Sequence, residues 1–234
     1  GVTYIQVPTS LLAQIDSSIG GKVAIDMPEG KNLVGSFYHP AAVFIDPNLL
    51  DTLPTRFFND GMAEVIKYGC IRDGSLFNSL ETYKSQEMLR ENIEKIIFTC
   101  LDIKREVVEG DQWDRGNRMI LNFGHTLGHA IESYFQYGNY THGEAVAIGM
   151  YQITKASEQM GLTKEGTALR IKNLLSQHKL PYKMPSGDIY EIIEGIAVDK
   201  KSKGLRLNIV LLVKIGKCFI RQVNHKDIHK YFME

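Results

Sequence analysis

The stretch Arg118-Met119-Ile120-Leu121-Asn122-Phe123-Gly124-His125-Thr126-Leu127-Gly128-His129-Ala130-Ile131-Glu132, followed by Tyr140-Thr141-His142-Gly143-Glu144, is where the chain shows its chemistry. A helix from Asn122 to Tyr134 stacks Asn122, His125 and His129 on one face, because residues three and four apart are neighbours there. That polar stripe stands where a core helix is ordinarily apolar. Taken alone, a histidine pair four apart equally suits a cap, a core contact or a surface pair.

Imidazole serves as metal ligand or proton carrier. His125 and His142 flank a short polar loop, so a chain that doubles back can bring both to one ion. Upstream, Gly61-Met62-Ala63-Glu64-Val65-Ile66-Lys67-Tyr68 sets an acid inside an apolar turn. A carboxylate there is costly to bury unless it is paired or bound to metal. Two histidines and a glutamate form a ligand set that catalytic zinc uses with one position left open.

At 234 residues, with 44% hydrophobic and 23% charged residues, the chain has the composition of a globular protein able to bury a substantial core. Lysine plus arginine equals aspartate plus glutamate, 27 against 27, so overall charge gives no reason to expect nucleic acid or membrane as partner. Cys70, Cys100 and Cys218 are widely spaced and read as reduced thiols, which points to the cytoplasm. The longest apolar run, Ile209 to Val213, is far short of a membrane span. Gly1 leads straight into the strand-like Val2 to Val7, ended by Pro8, without a polar lead-in. The expectation is the later part of a longer protein.

Thr9 and Ser10 can cap a helical turn through Ile15. The adjacent Gly20-Gly21-Lys22 suits an anion cradle or a plain surface turn. Lys22–Asp26 and Asn32–Phe37 read as a hairpin, and Ala42–Asp46 as a short strand ended by Pro47. Strand content drops near residue 55, which places a domain boundary there. Helices are expected at Phe58–Tyr68, Ser75–Tyr83, Glu87–Val108, Asn122–Tyr134, Gly143–Met160 and Ile189–Ile196, with a terminal hairpin around Ile215-Gly216. Lys104 on the third helix suits a snorkelling edge position or a ligand-facing one. Asp199-Lys200-Lys201-Ser202-Lys203 reads as a wet turn, or as a contact for an acidic ligand.

The runs Val7–Lys22, Gly61–Gly69, Leu121–Ala130, Thr141–Val146 and Asp199–Lys201 together closely resemble the 3-dehydroquinate synthase family of sugar-phosphate cyclases. The resemblance covers nearly the whole chain, with its motifs in order. It implies an α+β fold. Residues 1–54 would be the end of an α/β NAD-binding domain, and residues 55–234 a mainly helical metal- and substrate-binding domain with a small terminal hairpin. The missing N-terminal NAD-binding segment would belong to the same protein, a homodimer, and the segment alone would be an incomplete enzyme.

Carried over residue by residue, the resemblance implies zinc ligands at Glu64, His125 and His142, with cobalt as a substitute metal. The substrate set would be Lys22, Asn32, Lys67, Lys104, Arg118, Asn122, His129 and Lys201. NAD contacts would fall at Thr9, Ser10, Asp16, Lys22, Lys31, Thr52 and Leu53, with Asp16 also near substrate. The implied reaction converts 3-deoxy-D-arabino-heptulosonate 7-phosphate to 3-dehydroquinate and phosphate, with transient oxidation by NAD, elimination, re-reduction and intramolecular aldol closure. One departure is Phe57 in Arg56-Phe57-Phe58, where the family has an acid, which puts an NAD-side contact in doubt. A 2-deoxy-scyllo-inosose synthase-like cyclase, a metal-dependent polyol dehydrogenase and a non-catalytic interaction fragment are the competing readings. Lys104 together with Arg118 favours a substrate bearing a carboxylate.

Overall fold

The structure, a computed structural model, describes residues 2–27, 30–113, 116–198 and 206–232. The N-terminal part carries β1 (Ile5–Gln6), β2 (Lys22–Met27), β3 (Gly30–Phe37) and β4 (Ala42–Val43). β1 pairs in parallel with β4, and β2 with β3 in an antiparallel hairpin. The strands at 2–7 and 42–46 are shorter than the apolar pattern suggests. The side chains of Ile5, Val7 and Phe44 are 57%, 59% and 61% exposed, so this two-stranded parallel pair buries little, unlike parallel sheets generally.

Eight helices follow among the described residues: α1 (Thr55–Ile71), α2 (Gly74–Thr82), α3 (Gln86–Glu91), α4 (Ile93–Gly110), α5 (His125–Tyr134), α6 (His142–Gln159), α7 (Thr167–Gln177) and α8 (Ile189–Val198). β5 (Arg206–Lys214) and β6 (Lys217–Asn224) close the chain as an antiparallel hairpin. The α+β reading with a terminal hairpin holds. The core is continuous: Leu11, Ile15 and Leu50 from the N-terminal part pack with Met62, Tyr68, Ile97, Leu127, Val146 and Leu211.

Three local features differ from the pattern-based expectation. The helix expected over 87–108 is two, because Asn92 ends α3 and the chain restarts at Ile93. The turn after Ser10 tightens into a π-helix, Ala13–Ser17, closed by Ser18 N–H donating to Ala13 O at 3.2 Å. The helix expected from Asn122 instead begins at His125. Asn117–Asn122 is a 3-10 helix, and Gly124 breaks the two at φ +81°. Gly124 has a steric reason as well, since a Cβ there would meet Val146 O at 2.7 Å. Asn122 therefore lies outside the helix that carries His125 and His129.

Candidate metal and substrate site

α1 carries a polar stripe at four-residue spacing, Arg56, Asp60, Glu64 and Tyr68, and each member reaches a different part of the site. Glu64 is fully buried, and its Oε1 has no hydrogen-bond partner. His125 Nε2 lies 3.6 Å and His142 Nε2 3.7 Å from that same Oε1. His125 and His142 are each the first residue of a helix, α5 and α6, so both rings project from helix starts, with α6 packed on both α1 and α5.

The donor set fits a divalent ion. Donor atoms of a tetrahedral zinc site with bonds of about 2.1 Å stand roughly 3.4 Å apart, close to the spacing here. His125 Nδ1 is 3.1 Å from Phe123 O, an arrangement that assigns its proton to Nδ1 and leaves Nε2 as the donor nitrogen. Burial first, then Lys67, His142 and His129, push the His125 pKa well down, so it is neutral at pH 7. Burial pulls the His142 pKa down too, but the neighbouring Glu132 and Glu64 outweigh it and hold it above its ordinary value.

Lys67, also fully buried, forms an ion pair with Glu64 Oε2. Burial opposes its charge, but Glu64 and Asp16 outweigh that and raise its pKa. A second polar cluster centres on Asp16 in the π-helix. Lys104 pairs with its carboxylate and donates to its backbone oxygen at 2.5 Å, and Tyr68 Oη donates to Asp16 Oδ1 at 2.8 Å. Burial alone would raise the Asp16 pKa, but Lys104 and Lys67 hold the carboxyl far below the usual carboxylate range. The π-turn thus aims an acid at two lysines.

Arg118, buried, donates to Gly20 O at 3.0 Å and to Gln112 O at 2.9 Å. Its nearness explains Gly20, where a Cβ would meet the guanidinium at 2.6 Å. His129 is exposed, with its ring 5.4 Å from that of His125 and 6.2 Å from that of His142, and Asn122 is exposed at the end of the 3-10 helix.

Other expected residues fall around this centre. Lys22 opens β2 and is exposed. Ser10 Oγ accepts from Ala13 N at 3.3 Å beside the exposed Thr9. Thr52 ends the 3-10 helix Pro47–Thr52, and Leu53 packs on the core. Lys31 and Asn32 lie in β3, where only the backbone is described, and Lys201 lies outside the described residues. Phe57 is 49% exposed.

Two acids escape the sequence reading. Asp60 Oδ1 accepts the Gly143 N–H at 2.5 Å, and Glu132 Oε1 lies 3.5 Å from His142 Nδ1. Their signal was periodic: Asp60 is four residues before Glu64, and Glu132 is three after His129. Arg56 reinforces the arrangement by donating to both Glu144 oxygens, at 2.9 and 2.7 Å.

Known structures share this architecture. A 2-deoxy-scyllo-inosose synthase, complexed with carbaglucose-6-phosphate, NAD+ and Co2+, superposes with a TM-score of 0.85 at 30% identity, covering 98% of this chain and 66% of that one. A 2-epi-5-epi-valiolone synthase from Streptomyces hygroscopicus subsp. jinggangensis 5008, with NAD+ and Zn2+ bound, shares the fold at a TM-score of 0.87 and 24% identity, covering 97% and 64% of the two chains. The fold is thus that of the sugar-phosphate cyclases.

Within that class, models of the 3-dehydroquinate synthase N-terminal and C-terminal regions match residues 1–60 and 61–202. The chain belongs to the 3-dehydroquinate synthase family. It is 58% identical over 231 residues to the 3-dehydroquinate synthase of Clostridium acetobutylicum, covering 99% of this chain and 65% of the relative. It is 43% identical to that of Enterococcus faecalis strain V583, covering 99% and 64%. The chain spans about 65% of the length of the C. acetobutylicum relative.

Proposed function

We propose that this chain is the metal- and substrate-binding part of a 3-dehydroquinate synthase, which forms 3-dehydroquinate and phosphate from 3-deoxy-D-arabino-heptulosonate 7-phosphate. One observation carries the reading: two histidine Nε2 atoms converge on a single buried, otherwise unsatisfied oxygen of Glu64. Residues 1–54 are read as the end of the NAD-binding half and residues 55–234 as the metal and substrate half, in an enzyme that works as a homodimer.

Glu64, His125 and His142 would hold Zn2+ or Co2+, which supplies Lewis acidity toward substrate oxygens, while NAD supplies reversible hydride transfer. Lys67, paired with Glu64 Oε2, places a fixed positive charge next to the centre. Arg118 uses part of its fork on Gly20 and Gln112, which fixes the plane in which its remaining donors meet a carboxylate. Lys104, anchored by Asp16, brings a second positive charge. His129, exposed with its ring beside those of His125 and His142, and the exposed Asn122 would orient the phosphate.

The test is the full-length protein, assayed for zinc content and for phosphate release. Conversion of the heptulosonate phosphate, with no turnover of glucose 6-phosphate and no net NADH, is the expected result. Turnover of glucose 6-phosphate instead would move the chain to the inosose-forming branch. Net NADH from a polyol would make it a dehydrogenase.

A further inference from the structure

We propose that Glu132 is a positioning residue for the metal centre, fixing which nitrogen of His142 faces Glu64. The inference rests on the metal-site reading above. His142 stands between two carboxylates: its Nδ1 lies 3.5 Å from Glu132 Oε1, and its Nε2 lies 3.7 Å from Glu64 Oε1. A neutral imidazole carries one proton. A carboxylate facing Nδ1 holds that proton there and leaves the Nε2 lone pair toward Glu64.

His125 reaches the same state by another route, with its Nδ1 at the Phe123 carbonyl, 3.1 Å away. Both histidines therefore offer Nε2, one fixed by backbone and the other by a side chain. Only the second can be removed by substitution. Glu132 is 3% exposed and belongs to the same helix as His125, so α5 supplies a ligand at its start and the orienting carboxylate two turns later. A buried carboxylate without work to do would be expensive to keep in that position.

A competing assignment exists at the same place. Donor atoms of His129, Glu132 and His142 lie within 4.8 Å of one another and could hold a cation of their own. That site would need a lone pair on His142 Nδ1, whereas the site at Glu64 needs one on Nε2. A neutral ring offers one at a time, so the two assignments exclude each other at His142.

The experiment uses the full-length protein and Zn2+ alone, titrated against a chelator, with the variants Glu132→Gln, Glu132→Asp and Glu132→Ala. The parent should bind one zinc per chain. Glu132→Gln should bind about 10- to 100-fold more weakly, with Glu132→Asp intermediate. The metal-free melting temperature of Glu132→Gln should match the parent, while the rise produced by zinc should shrink. The Co2+-loaded variant should also show shifted visible absorption bands. Equal zinc affinity in Glu132→Gln and parent would overturn the proposal even if Glu132→Ala fails to fold. So would an equal loss of melting temperature with and without metal, or a second zinc in the parent that Glu132→Gln abolishes. A parent that binds no zinc would instead overturn the metal-site reading itself.

Discussion

The backbone N–H of Gly143 donates to the Asp60 carboxylate at 2.5 Å, tying the residue after His142 to the helix that carries Glu64. The fit leaves no room, because a Cβ at position 143 would land on the Asp60 carbonyl oxygen. Gly143→Ala should therefore push α6 away from α1. The expected cost is about 1–3 kcal/mol of stability, as for overpacking generally, read from urea unfolding of the metal-free protein. Zinc affinity should fall with it, because His142 moves. An Ala variant with parental stability and zinc affinity would show that the two helices are not locked here.

Removing a metal ligand is a harsher change. His125→Ala should abolish stoichiometric zinc and nearly all turnover, since two remaining donors hold a catalytic ion poorly. Atomic absorption on the desalted variant measures this directly, and retained one-to-one zinc would count decisively against His125 as a ligand.

Arg118 makes a different prediction. Its contacts to Gly20 and Gln112 require a planar fork, which lysine lacks. Arg118→Lys should keep zinc in full but lower kcat/KM by about tenfold or more, equivalent to ~1.4 kcal/mol of lost transition-state stabilisation. Steady-state kinetics with a parallel zinc assay separates the two effects.

The Asp16–Lys104 pair should show strong coupling. Burial pushes the Lys104 pKa down, and Asp16 offsets part of that, so Asp16→Asn leaves a buried ammonium poorly compensated. Breaking such a pair costs about 3–5 kcal/mol. Asp16→Asn combined with Lys104→Met should be less destabilising than the sum of the two single changes. Additive unfolding free energies would refute the coupling.

His178 gives a pH dependence away from the site. It is buried after the last turn of α7, and burial first, then Lys84, pushes its pKa down to about 4. The unfolded chain then binds more protons than the folded one between pH ~6.5 and about 4, so stability falls as pH drops through that window. Above it, His178 contributes no slope. Thermal melts of His178→Gln should lose part of the acid-side decline, and an unchanged profile would place the decline elsewhere.

The site was legible in uneven parts. Four-residue spacing marked His125 and His129, because local periodicity decides which side chains share a helix face. An acid stranded among apolar residues marked Glu64, and the short polar loop that the two flank marked His142 as a partner for His125. The same periodicity marks Asp60 and Glu132, but nothing local says what an acid one turn from a ligand will touch. Asn122 shows the opposite failure. Its spacing from His125 fits a helix, yet the close packing of Gly124 against Val146 and Met150 forces a break between them. Likewise Asn92 ends one helix and begins another within a run whose apolar pattern continues unbroken.

The order of motifs, the helical and strand periods, and the kinds of donor atom available were properties of the sequence by itself, since each depends on neighbours along the chain. Tertiary structure decided that the side chains of His125 and His142, at the starts of α5 and α6, meet Glu64 in the middle of α1, that Lys104 answers to Asp16, and that Glu132 faces His142. Those partners lie on separate elements. Only packing of the shared core brings them within a few ångströms, where desolvation makes their charges interdependent.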